Sequence, residues 1–142
     1  MRNIIVSVTA VTAIIGIAVS ANAAAAAIKG RWTTKEKDSI IEISACGAAM
    51  CGRVSKFLRT PPGGADQKDT NNPDKALRTR KILGIAVLHS LKADSEVWRG
   101  TIYDPRNGKS YRSVVYLQKN GSLNVKGCLG PICQSQIWTP AG

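Results

Sequence analysis

From residue 28 onward the chain runs in short alternations of apolar and polar residues, with almost no helical stripe. Ile28–Thr33 is the first such run, and a charged turn at Lys35–Asp38 follows it. In Ser39–Cys46, Ile41, Ile43 and Ala45 alternate with Glu42 and Ser44, the period-2 signature of a strand with one buried face. Further runs cover Cys51–Leu58, the nearly all-apolar Ile82–Leu91, Glu96–Tyr103, Lys109–Leu117, Ser122–Cys128 and Cys133–Thr139. Between them, Asp104-Pro105-Arg106-Asn107-Gly108 and Asn120-Gly121 carry turn chemistry, since Pro presets φ and Asn and Gly accept positive φ. Eight strands at this spacing predict an all-β domain, either sandwich or barrel. In simple up-and-down order, eight antiparallel strands close into a barrel whose interior holds one small ligand, and closure removes the exposed sheet edges.

The N-terminal segment has a different pattern. Met1-Arg2-Asn3 is a short positive start, Ile4 to Val19 is an apolar run of 16 residues, and Ser20-Ala21-Asn22-Ala23 ends it on small residues. This is the layout of a secretory leader cleaved after Ala23. The run is shorter than the roughly 20 residues a membrane-spanning helix needs. The expected organisation is therefore a signal peptide over residues 1–23 and one domain over 24–142, exported to the periplasm or beyond, with no stable membrane span after cleavage. The leader holds one of the 20 Lys and Arg, so the exported domain keeps 19 against 9 Asp and Glu, a net charge of +10. Such a field favours anionic partners. Export and the lack of a recognition motif argue against nucleic acid.

The four cysteines fall into two copies of one spacing, Cys46-Gly-Ala-Ala-Met-Cys51 and Cys128-Leu-Gly-Pro-Ile-Cys133. Each pair flanks a Gly-containing loop between two strand runs. Facing residues of such a hairpin have Cα atoms about 5 Å apart, which suits a disulfide in an oxidising compartment. The expected bonds are Cys46–Cys51 and Cys128–Cys133. In an up-and-down barrel the second and seventh connections lie at opposite rims, so a bond between the two loops is excluded. A four-thiolate zinc site is the competing arrangement, disfavoured because export would oxidise the thiols first.

The one long irregular stretch is residues 59–81, with room for a short helix after Asn72-Pro73-Asp74. Its oxygen-bearing residues Asp66, Asp69, Asn71 and Asp74 miss the spaced register of a calcium loop and read as loop caps. His89 is the only histidine. Strict alternation puts it on one face with Ile85, Val87 and Leu91, the setting of a core histidine rather than a base. No nucleophile and base arrangement, metal cluster or phosphate loop is visible, so the sequence is read as that of a non-enzyme, without a cofactor or metal. Trp32, His89, Trp98, Tyr103, Tyr111 and Trp138 are the candidate ligand-lining residues.

An ordered set of short runs carries a family resemblance. It comprises Gly30-Arg31-Trp32, Cys51-Gly52-Arg53-Val54, Asp69-Thr70-Asn71-Asn72-Pro73-Asp74-Lys75-Ala76-Leu77-Arg78 and Ile82-Leu83-Gly84. Gly100-Thr101-Ile102-Tyr103-Asp104-Pro105, Gly108, Tyr111, Leu123-Asn124-Val125-Lys126-Gly127 and Trp138 complete it. Together they resemble the exported bacterial proteins grouped as domain of unknown function 2147, which implies a single β domain and no established activity. Gly30-Arg31-Trp32 also resembles the G-x-W start of lipocalins, whose Trp plugs the closed end of the barrel, although no Arg follows Trp138 to stack on it. The expected function is a non-catalytic envelope barrel holding a small or anionic ligand. The alternative is a structural or interaction protein docking through its basic surface on anionic envelope components. An apolar internal cavity above about 300 Å³ would favour the first.

Overall fold

The computed structural model describes residues 28–142, with 10–11 and 13–17 of the preceding segment; apart from those few positions, the expected leader lies outside the described residues. Eight strands follow one another as β1 (Gly30–Thr33), β2 (Ser39–Cys46), β3 (Ala49–Phe57), β4 (Ala86–Asp94), β5 (Val97–Asp104), β6 (Lys109–Leu117), β7 (Leu123–Leu129) and β8 (Ile132–Pro140). Each pairs antiparallel with the next. β1 closes the barrel on β8 through Trp32 opposite Pro140 and Thr33 opposite Thr139. The up-and-down order predicted from the alternation is the order observed.

Up-and-down order sorts the connections by parity. The first, third, fifth and seventh lie at one rim, and the second, fourth and sixth at the other. The second rim is packed shut. Ile28, Ile43, Leu91, Val115, Leu123 and Val125 are fully buried, with Trp32, Met50 and Trp98 among them. Trp32 Nε1 donates to the Ile28 carbonyl at 2.9 Å, tying β1 to the segment just before it. A single indole N–H placed on a backbone acceptor lets this large ring be buried without an orphaned donor.

Two disulfides staple the barrel, Cys46–Cys51 and Cys128–Cys133, one in a hairpin at each rim. Both are the expected pairs.

The expected fourth strand needs correction in two respects. Ile82–Ile85 turns instead of extending: Ile85 N–H donates to the Ile82 carbonyl, and Gly84, at φ 96°, donates to Val54. Strict alternation also fails. Ser90 sits at φ 50° and the β4–β5 register shifts between His89 and Lys92, so Leu88 and Leu91, three apart, are both fully buried. This is a β-bulge, which inserts one residue and re-aims those that follow. It drives the β4 backbone onto β5. A Cβ at Gly100 would collide with the His89 carbonyl and lie 2.9 Å from Leu91 Cδ2, so only glycine fits there.

Candidate functional site

At the rim carrying the odd-numbered connections the barrel opens into a cavity of about 1000 Å³. Its depth follows from side-chain size along the strands. On β7, Leu123 and Val125 fill the closed end, whereas Gly127 leaves space. Gly127 sits opposite Ser113 of β6 and Gln134 of β8, a row of residues too small or too polar to close the interior. A Cβ at Gly127 would meet its nearest neighbours, Ile102 Cγ2 and Tyr111 Cβ, at 3.4 and 3.8 Å.

The lower wall of the cavity is apolar, made by Ile41, Val54, Val87, Ile102 and Trp138. Gln134 and Gln136 add polar groups on β8. The mouth is charged: Glu36, Asp38 and Asp104 supply three acids, and Arg59, Lys68 and Arg106 three bases. Arg106 is already held by Asp104, with Nε to Oδ1 and Nη2 to Oδ2 both at 3.0 Å. The charges that line the opening are therefore balanced, three against three, while further bases lie outside the lining on the connections of the same rim.

The long connection between β3 and β4 is latched down by one buried carboxylate. Asp69 is fully buried and accepts from Tyr103 Oη at 2.6 Å, Asn72 Nδ2 at 2.9 Å, and Arg80 Nε and Nη2 at 3.0 and 2.9 Å. Burial alone would raise its pKa. The hydrogen bonds from Tyr103, Asn72 and Arg80, with the Arg80 charge, outweigh that and hold it below the usual carboxylate value. The same contact, after burial, pushes the Tyr103 phenol up to about 12. The backbone reinforces the latch, because Asp69 N–H donates to the Arg80 carbonyl and Ile82 N–H to Gln67, both at 2.9 Å. Asp74 caps the single 3-10 turn Lys75–Leu77 through the Ala76 N–H. Asn71 Nδ2 reaches the carbonyls of Pro105 and Arg106 in the β5–β6 turn. There Gly108, at φ 71°, comes so close to the Asn71 carbonyl that a Cβ would overlap it.

The six residues singled out in the sequence do not form one group. Tyr103, Tyr111 and Trp138 line the cavity. Trp138 Nε1 donates to Gln136 Oε1 at 3.1 Å, and Tyr111 Oη accepts from Asn107 Nδ2 at 3.2 Å. Trp32 and Trp98 belong to the packed core, as Tyr103 and Trp138 also do, but do not line the cavity. His89 pairs with Thr101, one step from the Leu88–Ile102 pair, so it lies on the opposite face from those two. It does not share the Leu91 face that alternation assigned to it, and it does not line the cavity. Burial, then the charges of Arg80 and Arg53, lowers its pKa and keeps the imidazole neutral at neutral pH.

Sequence reading missed the partners of Asp69, because Tyr103 lies 34 residues away. The available signal was the cluster of side-chain oxygens in 66–74, which the structure uses to cap the loop and to tie it to Tyr103 of β5. Among the described residues, no group of three or more His, Cys, Asp or Glu is placed to hold a metal ion, and no helix is long and apolar enough to cross a membrane.

The profile of the family described as an uncharacterized protein conserved in bacteria, domain of unknown function 2147, matches residues 30–140. The chain superposes on the Helicobacter pylori protein HP1028, described as belonging to the lipocalin family. The TM-score is 0.69 at 22% identity, over 81% of this chain and 83% of that one. No curated protein matches by sequence.

Proposed function

We propose, for a chain that belongs to the bacterial family domain of unknown function 2147, that it is a non-catalytic carrier holding a small amphiphilic molecule inside its barrel. The observation that supports this reading is the cavity of about 1000 Å³, closed below by packed apolar residues and open above at a polar mouth. That volume lies at the upper end of the range typical of small-molecule sites. An apolar body would lie against Ile41, Val54, Ile102 and Trp138, and a polar head would meet the charges at the rim. The similar placement of acids and bases there suits a zwitterionic or hydrogen-bonding head as well as an anionic one. The lipocalin-like fold adds support at the level of shape only.

The proposal places the protein outside the cytoplasm, in the periplasm or beyond. The leader-like residues 1–23 and the two disulfides support that location. Native mass spectrometry of protein purified from its own host tests the carrier reading. A reproducible small-molecule adduct released by organic solvent supports it. A reproducibly empty chain that binds envelope material in a salt-sensitive way would favour the alternative, a structural protein docking through its basic surface.

A further inference from the structure

The β7–β8 hairpin ends in a feature that neither core packing nor the cavity floor requires. Leu129 and Ile132 face each other across its two-residue turn and are 73% and 71% exposed. Gly130 and Pro131 between them are exposed as well. A pair of large apolar side chains side by side at a hairpin tip costs solubility and is retained where something covers it. The tip is also held in place. The Cys128–Cys133 disulfide closes the pair directly beneath it, and the Arg112 guanidinium of β6 donates to the Gly130 carbonyl. Leu129 and Ile132 both line the cavity mouth, so their apolar surface continues inward to Ile102 and Trp138.

Charge is distributed unequally between the two rims. The connections at the mouth carry nine Lys and Arg against five Asp and Glu, while those at the closed rim carry one of each. Asp69 pairs with Arg80 and Asp66 with Lys81, which leaves seven bases against three acids on these connections. An apolar tip set in a basic rim is the arrangement that seats a protein on an anionic bilayer. The side chains enter the boundary between headgroups and acyl chains, and the bases meet the surface potential.

We propose that the Leu129–Ile132 tip docks this barrel, mouth first, on a bilayer rich in anionic phospholipid. Docking of this kind would let an amphiphile pass between the acyl region and the cavity without crossing water. The inference extends the carrier reading, yet the two are measured separately.

The test is cosedimentation of the full chain, processed as in its host, with vesicles of phosphatidylethanolamine and phosphatidylglycerol, against vesicles of phosphatidylcholine alone. Binding to the anionic vesicles that weakens as salt rises is expected. The double variant Leu129→Ser with Ile132→Ser should bind at least about tenfold more weakly. Leu117→Ser, an exposed apolar residue at the closed rim, should bind like the parent. Both variants change exposed side chains, and circular dichroism with a melting curve verifies that each folds. Equal binding by the tip variant and the parent, or no binding to anionic vesicles at low salt, would overturn the proposal. So would a dimer that the tip variant abolishes, with no vesicle binding, since the tip would then belong to a second copy. A chain that docks but carries no adduct leaves docking standing and removes the carrier; a loaded chain that ignores vesicles does the reverse.

Discussion

The two rims of this barrel are made from the same eight strands, yet one is solid and the other hollow. Along β5, β6 and β7 the inward positions near the closed rim are Trp98, Val115, Leu123 and Val125, all buried. Moving toward the mouth, β7 presents Gly127, and β5 and β6 present Ile102 and Tyr111, all three of which line the cavity. Along these three strands, whose ladders run without a shift, the change from filled to empty comes from side-chain volume and not from any change of backbone pairing. The means of closure differ too. The closed rim is shut by apolar packing with short hairpins, whereas the mouth is flanked by a long connection fixed through one buried carboxylate.

The largest expected effect would come from breaking the solid end. Leu123→Ala should cost about 3–5 kcal/mol, measured by urea unfolding, because a fully buried site between packed strands relaxes little. Any ligand adduct seen by mass spectrometry should survive that change in the fraction that remains folded.

At the mouth, Asp69→Ala should cost about 3 kcal/mol, because it leaves Arg80 and the Tyr103 hydroxyl without their acceptor. Unlike Leu123→Ala, it should also speed amide hydrogen exchange across residues 66–82, the segment the carboxylate holds. Exchange confined to the global unfolding rate would show that the latch is not an independent unit.

Removing the closed-rim staple with Cys46→Ser and Cys51→Ser should lower stability by about 2 kcal/mol, as expected for so short a closed loop. The equivalent change at Cys128 and Cys133 should cost a similar amount in a thermal melt, and it alone should weaken vesicle binding.

Tyr103→Phe should cost about 1–2 kcal/mol, the worth of a hydrogen bond to a buried charged acceptor. The pH dependence gives its signature. A phenol whose pKa rises on folding, to about 12, contributes stability that is complete below its unfolded value near 10 and is lost as pH climbs through the folded one. The parent should therefore lose this stability in that alkaline window and the Phe variant should not. Asp69 has the opposite sign. Its pKa falls on folding, so its contribution is present above the ordinary carboxylate value near 4 and is lost as acid titrates it through its lower folded value.

The smallest change in stability should accompany Gly127→Val. The new side chain suits a strand and would fill part of the cavity, shifting stability by less than about 1 kcal/mol. Loss of the adduct without loss of stability would separate the hollow end from the solid one more cleanly than any core truncation. A retained adduct would place the ligand elsewhere.

What the sequence made legible was whatever depends on near neighbours. Strand periodicity, turn residues and the two C-x4-C loops led to the eight-strand barrel and to both disulfides, since hairpin pairing is local. The bulge at Ser90 was not legible, because alternation assumes one residue per ladder step and Ser90 is inserted. His89 was misplaced for that reason. The latch escaped because Asp69, Arg80 and Tyr103 meet only after the barrel has closed. The cavity depended on Gly127 falling on the inward face of β7 beside Ile102 and Tyr111, a placement that needs the register. All three tryptophans belong to the packed core, yet only Trp138 also borders the cavity, a difference that residue type does not encode.

The short span of each disulfide has a consequence for how the chain matures. Each bond joins residues five apart in sequence, within a hairpin that forms from adjacent strands. The two hairpins end up at opposite rims, so once the sheet rolls up the wrong partners are separated by the height of the barrel. Correct oxidation therefore requires only a thiol oxidant and local pairing, with no reshuffling of bonds. A chain oxidised before it folds would favour the same two bonds, because the cost of closing a loop rises with its length.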